Sequence, residues 1–261
     1  MYRVSSVPVE SGEFIQSLER GLAVVRVFGA DAPSLTLSDV ASRAGLTRAT
    51  ARRILHTLSA LGYVDFDGKF FALTPKILDL GYAYLSSLQI ADIAQPTMEA
   101  LSDEVHESVS MALLDGDDIV YVARVPTKRI MAISLGLGSR LPAHCTSLGR
   151  ALLAGLPEPA LASYLDRVTL TPRTSRTIVD CGELRLALDE VRTRGWALLD
   201  QELEEGVRSI AAPVHDRTRR VVAAVNIGTH VSRVSLGQLR NELVPRLLAA
   251  CRQIDAQLAK R

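Results

Sequence analysis

The sequence predicts an α+β chain: three short helices and a hairpin, a helical linker, then an antiparallel sheet with helices packed on it. Three observations lead there. Apolar residues recur at helical spacing in short segments that end at Gly29, Gly45 and Gly62. Beyond about residue 105 the pattern changes to strand-like runs joined by turn residues, with Asp115-Gly116 as the strongest hairpin signal. Between Val40 and Val64 stand four arginines, Arg43, Arg48, Arg52 and Arg53, together with His56 and no acid.

Element by element, Ser17–Gly29 places Leu18, Leu22, Val25 and Phe28 on one helical face, with Ser17 as N-cap. A loop over Ala30–Ser34 follows. Thr36 caps a helix over Leu37–Ala44 that stops at Gly45, and Thr47 caps a third helix that runs to Leu61 and stops at Gly62. Tyr63–Phe66 and Phe70–Leu73 form a hairpin around Asp67-Gly68-Lys69. Thr74-Pro75 opens a helix from Lys76 to about Ser87. Pro96 stands at the start of the next helical pattern, Thr97–Val105, which puts the domain boundary between about residues 74 and 95. Strands are expected at Ser108–Leu114, Ile119–Val125, Ile130–Leu135, Trp196–Leu199, Val207–Val214 and Val221–Thr229, with Asp216-Arg217-Thr218 as a turn. Thr146 caps a helix over Ser147–Ala154, Leu184–Arg194 is a helix ended by Gly195, and Leu236–Leu258 is a long helix with Pro245 as a candidate kink.

Composition narrows the function. The 261 residues, 48% hydrophobic and 23% charged, exclude a disordered chain and leave room for one large domain or two smaller ones. A net charge of +1 argues against a polyanion binder as a whole, so the acid-free window matters as a patch. Cys145, Cys181 and Cys251 are odd in number and lack paired spacing, which predicts neither a disulfide framework nor a zinc cluster; no metal and no cofactor is expected. The longest stretches without a charged side chain, Leu80–Ala91 and Val221–Ser232, have twelve residues against about 18 needed to cross a bilayer, so no membrane partner is expected. Met1–Phe14 lacks the apolar segment of a secretory signal, and a cytoplasmic location is the expectation.

The segment Leu37–His56, LSDVASRAGLTRATARRILH, meets the requirements of a DNA-binding helix-turn-helix, and the hairpin after it makes the motif winged. Ala41 is small where two helices cross, and Gly45 stands where the turn needs positive φ. Val40, Ala44, Leu46, Ala51 and Ile54 supply the apolar contacts that fix the interhelix angle. On the second helix Ala51, Ile54, Leu55, Leu58 and Leu61 face inward, while Arg48, Ala49, Arg52, Arg53 and His56 face outward. Arginines there reach guanine edges or phosphates, and Ala49 permits close approach to the bases. Thr47 and Thr50 complete the candidate DNA-facing set. Lys69 at the hairpin tip is a candidate phosphate contact or part of a purely structural turn. The alternative for the whole helix is a solvated basic face.

These residues resemble the IclR family of bacterial transcriptional regulators. The resemblance lies in SLERGLAVVRVFG, LTLSDVASRAGLTRATARRILHTLSALGYV and LTPKILDLGYAYLSSL, then in LPAHCTSLGRALLAGL, RGWALLDQELEEGVRSIAAPV and VVAAVNIGTHVSRV, and covers essentially residues 14–258. LDLGYAYLSSL together with DGDDIVYVARVPTKRIM brings it closest to the branch that controls protocatechuate and hydroxybenzoate catabolism. The resemblance implies a winged helix-turn-helix domain over 14–74, a dimerising helical linker over 75–95, and a GAF-like effector-binding domain over 96–261. It implies a small organic acid as effector, an aromatic acid or β-ketoadipate-pathway metabolite, and dimers or tetramers on palindromic promoter DNA that activate or repress. Leu78, Tyr82, Tyr84 and Leu85 are candidate interface residues, or pack within one subunit.

A carboxylate site that needs no large cationic cluster is available after Thr146. The first N–H groups of the helix at Ser147, Leu148 and Gly149 are free to point at an anion, and Gly149 lets a ligand come near. Arg150 adds charge, faces solvent or pairs with an acid; the sequence leaves these open. The family pattern puts pocket residues at Ser147, Leu148, Asp200, Ser209 and Asn226. Ser209 and Asn226 are polar interruptions in two apolar strands, bonded either to a ligand or to neighbouring backbone. Gly228 leaves room compatible with an aromatic acid. Arg208, which follows Glu204 and Glu205, is expected in an ion pair.

Enzyme chemistry finds little support. His144 and Cys145 are adjacent on an extended segment and point apart, so Cys145 is expected as a small core residue. Gly136-Leu137-Gly138 lacks the third glycine and the lysine of a phosphate loop. The expected function is a DNA-binding regulator and not an enzyme. Two alternatives stand beside it: a metabolite-binding or enzymatic domain whose winged helix mediates protein contacts, and a dimerisation adaptor without a ligand.

Overall fold

The computed structural model describes residues 14–29, 31–85, 89–127 and 135–260, without the side chains of 82–85. The chain divides into two units, Met1–Ser87 and Leu88–Arg261. In the first, α1 (Gln16–Arg26) begins without a side-chain cap: Ile15 holds the N-cap position, because Ser17 already lies in the first turn. Only the C-terminal half of α1 meets the core, so Val24 and Phe28 are buried while the expected core residues Leu18 and Leu22 are 60% and 47% exposed. A short strand β1 (Ser34–Leu35), where the sequence suggested only loop, leads to α2 (Leu37–Arg43). Thr36 and Asp39 cap α2 reciprocally: Asp39 N donates to Thr36 Oγ1 (3.3 Å), and Thr36 N to Asp39 Oδ2 (3.1 Å).

Gly45 takes φ +65° in the turn, as the helix-turn-helix reading requires. Thr47 then caps α3 (Arg48–Ala60), its Oγ1 accepting from Thr50 N at 3.2 Å. Val40, Ala41, Ala51 and Leu55 are buried where the helices cross, with Ala44, Leu46, Ile54 and Leu58 packed around them. Leu61, expected inward, is 54% exposed, since it is the C-cap and the helical phase ends there. The wing is β2 (Val64–Phe66) and β3 (Phe71–Leu73) in a sheet of order β1-β3-β2, with the Phe66 and Phe71 rings stacked at 4.4 Å. A 3-10 turn over Pro75–Ile77 precedes α4 (Leu78–Leu85). The Thr74 hydroxyl does not cap it and donates to the Gly62 carbonyl instead, at 2.6 Å. The side chains of Tyr82, Tyr84 and Leu85 lie outside the described residues.

The second unit opens with α5 (Gln89–Val105), which runs through Pro96 and so starts earlier than the sequence suggested. Strands β4 (Ser108–Asp115), β5 (Asp118–Val125) and β6 (Arg140–Pro142) follow; the strand expected at 130–135 lies, Leu135 apart, outside the described residues. Then come α6 (Ser147–Ala154), α7 (Glu158–Arg167) and α8 (Cys181–Arg194). No helix was expected where α7 lies, although Pro157 ahead of Glu158 and the inward pair Leu161 and Tyr164 signal it. β7 (Ala197–Asp200), β8 (Val207–His215) and β9 (Val221–His230) complete an antiparallel sheet of order β6-β5-β4-β9-β8-β7. The C-terminal helix is divided into α9 (Leu236–Gln238), a π turn over Leu239–Leu243 and α10 (Val244–Leu258). Pro245 is the second residue of α10 and follows directly on the π turn.

Alternation along the strands sorts residues to two faces. Ala112, Tyr121, Ala211 and Ala224 pack with α6, α7 and α8, and α5 and α10 cover the other face. On the first face α6 lies so close that all eight of its residues are buried. A Cβ on Gly149 would come within 2.1 Å of the Ala143 carbonyl oxygen, so the glycine serves helix packing. Arg150 is buried with α6: its Nε donates to the His144 carbonyl (3.0 Å) and its guanidinium pairs with Glu202. Burial raises the Glu202 carboxyl despite the arginine beside it and lowers the Arg150 guanidinium, so each charge is sustained chiefly by the other.

Gly149→Ala is expected to destabilise the second unit by about 3 kcal/mol, seen as a lower melting temperature in circular dichroism. Glu202→Ala strands the Arg150 charge in the interior and is expected to cost about 3–5 kcal/mol. An unchanged melt for either variant contradicts the packing described.

Candidate functional site

Two surfaces carry candidate function, one in each unit. On α3 the side chains of Arg48, Ala49, Arg52, Arg53 and His56 are all exposed on the face opposite Ala51 and Leu55. Thr47 is exposed at the cap, and Thr50 is half-buried with its hydroxyl 2.9 Å from that of Thr47. Arg52 Nε lies 3.4 Å from His56 Nε2, a weak contact one turn on. Among the described residues no carboxylate pairs with Arg48, Arg52 or Arg53, so three full positive charges face outward. At the wing tip Asp67 Oδ1 accepts from the N–H groups of Lys69 (2.9 Å) and Phe70 (2.7 Å), and these backbone bonds hold its carboxyl below the usual range. The turn is thereby fixed with Lys69 exposed, its ammonium 5.0 Å from the centre of the Phe70 ring.

In the second unit a cavity lies where the N-terminal end of α6 meets the sheet. Its wall is set by strand register. Ser110, Asn226 and Ala211 stand side by side on β4, β9 and β8, and Ser108, Gly228, Ser209 and Leu199 form the next row. Small side chains here leave the space that larger ones would fill. Cys145, Thr146, Ser147 and Leu148 close it from the helix side, and Glu202 and Leu203 from the β7–β8 connection. Thr146 caps α6 by accepting from Gly149 N at 3.1 Å. Ser147 Oγ and Asn226 Oδ1 are buried without a hydrogen-bond partner among the described residues. Orphaned polar atoms in one cavity are costly unless something else satisfies them.

Of the effector residues read from the sequence, Ser147, Leu148, Ser209 and Asn226 come together around this cavity. Gly149 and Asp200 do not line it. Gly149 is turned against Ala143, which corrects its reading as an opening for a ligand. Asp200 is committed to ion pairs with Arg208 Nε (2.7 Å) and Arg176 (2.8 Å); burial raises its carboxyl, but the two guanidinium groups bring it below the usual range. Arg208 is thus in an ion pair, though with Asp200 and not with Glu204 or Glu205. Tyr121, Arg124, Ser108 and Ser110 also line the cavity and were not read from the sequence. The serines carried a usable signal, since they alternate with Val109 and Met111 as Ser209 and Asn226 interrupt their own strands. Among the described residues no group of His, Cys, Asp or Glu could hold a metal ion, and no helix is long and apolar enough to cross a membrane.

This arrangement has counterparts in known proteins. Residues 17–68 match the IclR helix-turn-helix domain, and residues 82–256 match the bacterial transcriptional regulator IclR C-terminal domain. The Pca regulon regulatory protein of Pseudomonas putida is 47% identical over 247 residues, 94% of this chain and 85% of that protein. The crystal structure of a transcriptional regulator from Rhodococcus sp. RHA1 has a TM-score of 0.85 at 51% identity, covering 95% of this chain and 99% of that one. The inducer-binding domain of an Acinetobacter PobR transcription factor, solved as a double mutant with 3-hydroxybenzoic acid, is 30% identical with a TM-score of 0.60, over 63% of this chain and 97% of that one. With both domains matched in the same order and nearly half the residues shared with a relative of similar extent, the chain belongs to the IclR family of bacterial transcriptional regulators.

Proposed function

We propose that this DNA-binding regulator controls genes of aromatic catabolism, and that an aromatic acid or β-ketoadipate-pathway metabolite bound in the cavity beneath α6 changes its hold on promoter DNA. The observation that carries the effector half is the pair of buried, unpartnered atoms, Ser147 Oγ and Asn226 Oδ1, in a cavity that Ser209 and Leu148 also line. The relatives whose names mention the Pca regulon and 3-hydroxybenzoic acid support the aromatic class. The DNA half rests on α3: Thr47, Arg48, Ala49, Thr50, Arg52, Arg53 and His56 meet base edges and phosphates in the major groove, and Lys69 meets a phosphate beside it. One such helix reads few base pairs, so the working species is a homodimer or a tetramer on palindromic half-sites about 34 Å apart or a multiple of it. The segment 75–95 serves as the dimerising linker between a DNA-binding domain over 14–74 and an effector domain over 96–261, and the protein works in the cytoplasm.

The reading of an enzyme is not favoured. Burial pushes the Cys145 thiol up to about 11 and lowers His144, so at neutral pH the pair is a neutral thiol beside a neutral imidazole, whose Nε2 lies 3.2 Å from the Thr171 carbonyl.

Arg52→Ala combined with Arg53→Ala is expected to weaken specific binding by about 1–3 kcal/mol for each of the two arginines that reads a base, with the oligomer unchanged in size-exclusion chromatography. Mobility shift on the DNA upstream of the chain's own gene checks this; full affinity in the double variant contradicts the recognition-helix assignment. Ser147→Leu is expected to abolish the response to aromatic acids while basal DNA affinity stays at the wild-type level. Calorimetry that finds normal aromatic-acid binding by this variant removes the proposed site.

A further inference from the structure

We propose that Arg124 is the counter-ion for a ligand carboxylate in the cavity beneath α6, aimed there by a one-residue bulge in β5. This rests on the cavity being the effector site. In a regular strand Tyr121 and Arg124, three positions apart, would face opposite sides of the sheet. In β5 they do not. Tyr121 pairs with Ala112, Ala123 with Met111 and Arg124 with Ser110, so Val122 is an extra residue that β4 does not match. After the bulge Arg124 shares the face of Ser110 and Asn226, and both Tyr121 and Arg124 line the cavity.

The charges around the cavity single out Arg124. Arg150 is paired with Glu202, and Arg208 shares Asp200 with Arg176. Glu202, the carboxylate that lines the cavity, is the one taken up by Arg150. Arg124 is half-buried and has no carboxylate partner among the described residues. Of the two charged described residues that line the cavity, Glu202 is paired and Arg124 is left to meet a ligand carboxylate. Arg124 stands in register with Ser110 and Asn226 on successive strands, so the β5 and β9 backbones that carry Arg124 and Asn226 are about 10 Å apart. That span matches a ring with a carboxylate at one side and a polar substituent at the other. Burial pushes the Tyr121 phenol up to about 12, so it stays a neutral donor beside the ring.

The test is calorimetric titration of the full chain with benzoate, 4-hydroxybenzoate and 3,4-dihydroxybenzoate, each against its uncharged amide. Wild type is expected to prefer an acid over its amide by on the order of tenfold to a hundredfold. Arg124→Gln should erase that preference while leaving the amide's affinity unchanged, which also shows that the cavity is still folded; Arg124→Lys should retain part of it. If Arg124→Gln keeps the full preference for the acid, the counter-ion assignment falls and the cavity remains the effector site. If wild type binds none of the six compounds, the aromatic-acid form of the effector reading falls, and this one with it.

Discussion

The second unit depends on how closely α6 can approach the chain that leads into it. Gly149 lies against the backbone of Ala143, and Ala112, Ala211 and Ala224 keep the sheet surface low beneath the helix. A helix seated so deep has no solvent-facing side, so even Arg150 must be buried and must find Glu202. Where the alanines give way to Ser110, Ser108, Ser209 and Gly228, the same close approach leaves an unfilled space at the end of the helix. The cavity is thus a by-product of packing geometry. Its lining carries polar atoms, Ser147 Oγ and Asn226 Oδ1 among them, that packing alone does not require.

Charge is arranged differently in the two units, and a net charge of +1 conceals this. In the second unit Arg140, Arg150, Arg167, Arg176, Arg208 and Arg233 each meet a carboxylate. In the first, the outward arginines of α3 meet none among the described residues, because the stretch from Val40 to Val64 contains no acid. An absence of partners along a helix face leaves positive charge for the phosphates of a duplex, where each neutralised phosphate also releases counterions.

Local rules made the first unit legible. Thr36, Gly45, Thr47 and the Asp67-Gly68 turn act within a few residues of themselves, and the buried face of α3 follows from its 3.6-residue period. The failures there were also local in origin: Leu18 and Leu22 have the right spacing, but spacing does not say how far along a helix the core extends. In the second unit Ser147, Leu148, Ser209 and Asn226, picked out by family likeness and by polar interruptions in apolar strands, come together around one cavity. Asp200 was misassigned because its partners Arg176 and Arg208 are brought to it by the α7–α8 connection and by pairing across strands. Arg124 could not be found from a two-residue alternation, since the bulge at Val122 that re-aims it is visible only in the register with β4.

The π turn ahead of α10 takes up one residue more than an α-helical turn holds, so the helix leaves it in the phase it would have without that residue, with Leu247, Cys251 and Ile254 all buried. Dropping a single residue between Leu239 and Leu243 would let the bulge close into an ordinary turn and leave this stripe facing inward. The same loss inside α10 has no bulge to absorb it and would swing everything beyond by about 100° toward water. The irregular turn is thus where this helix tolerates a change in length.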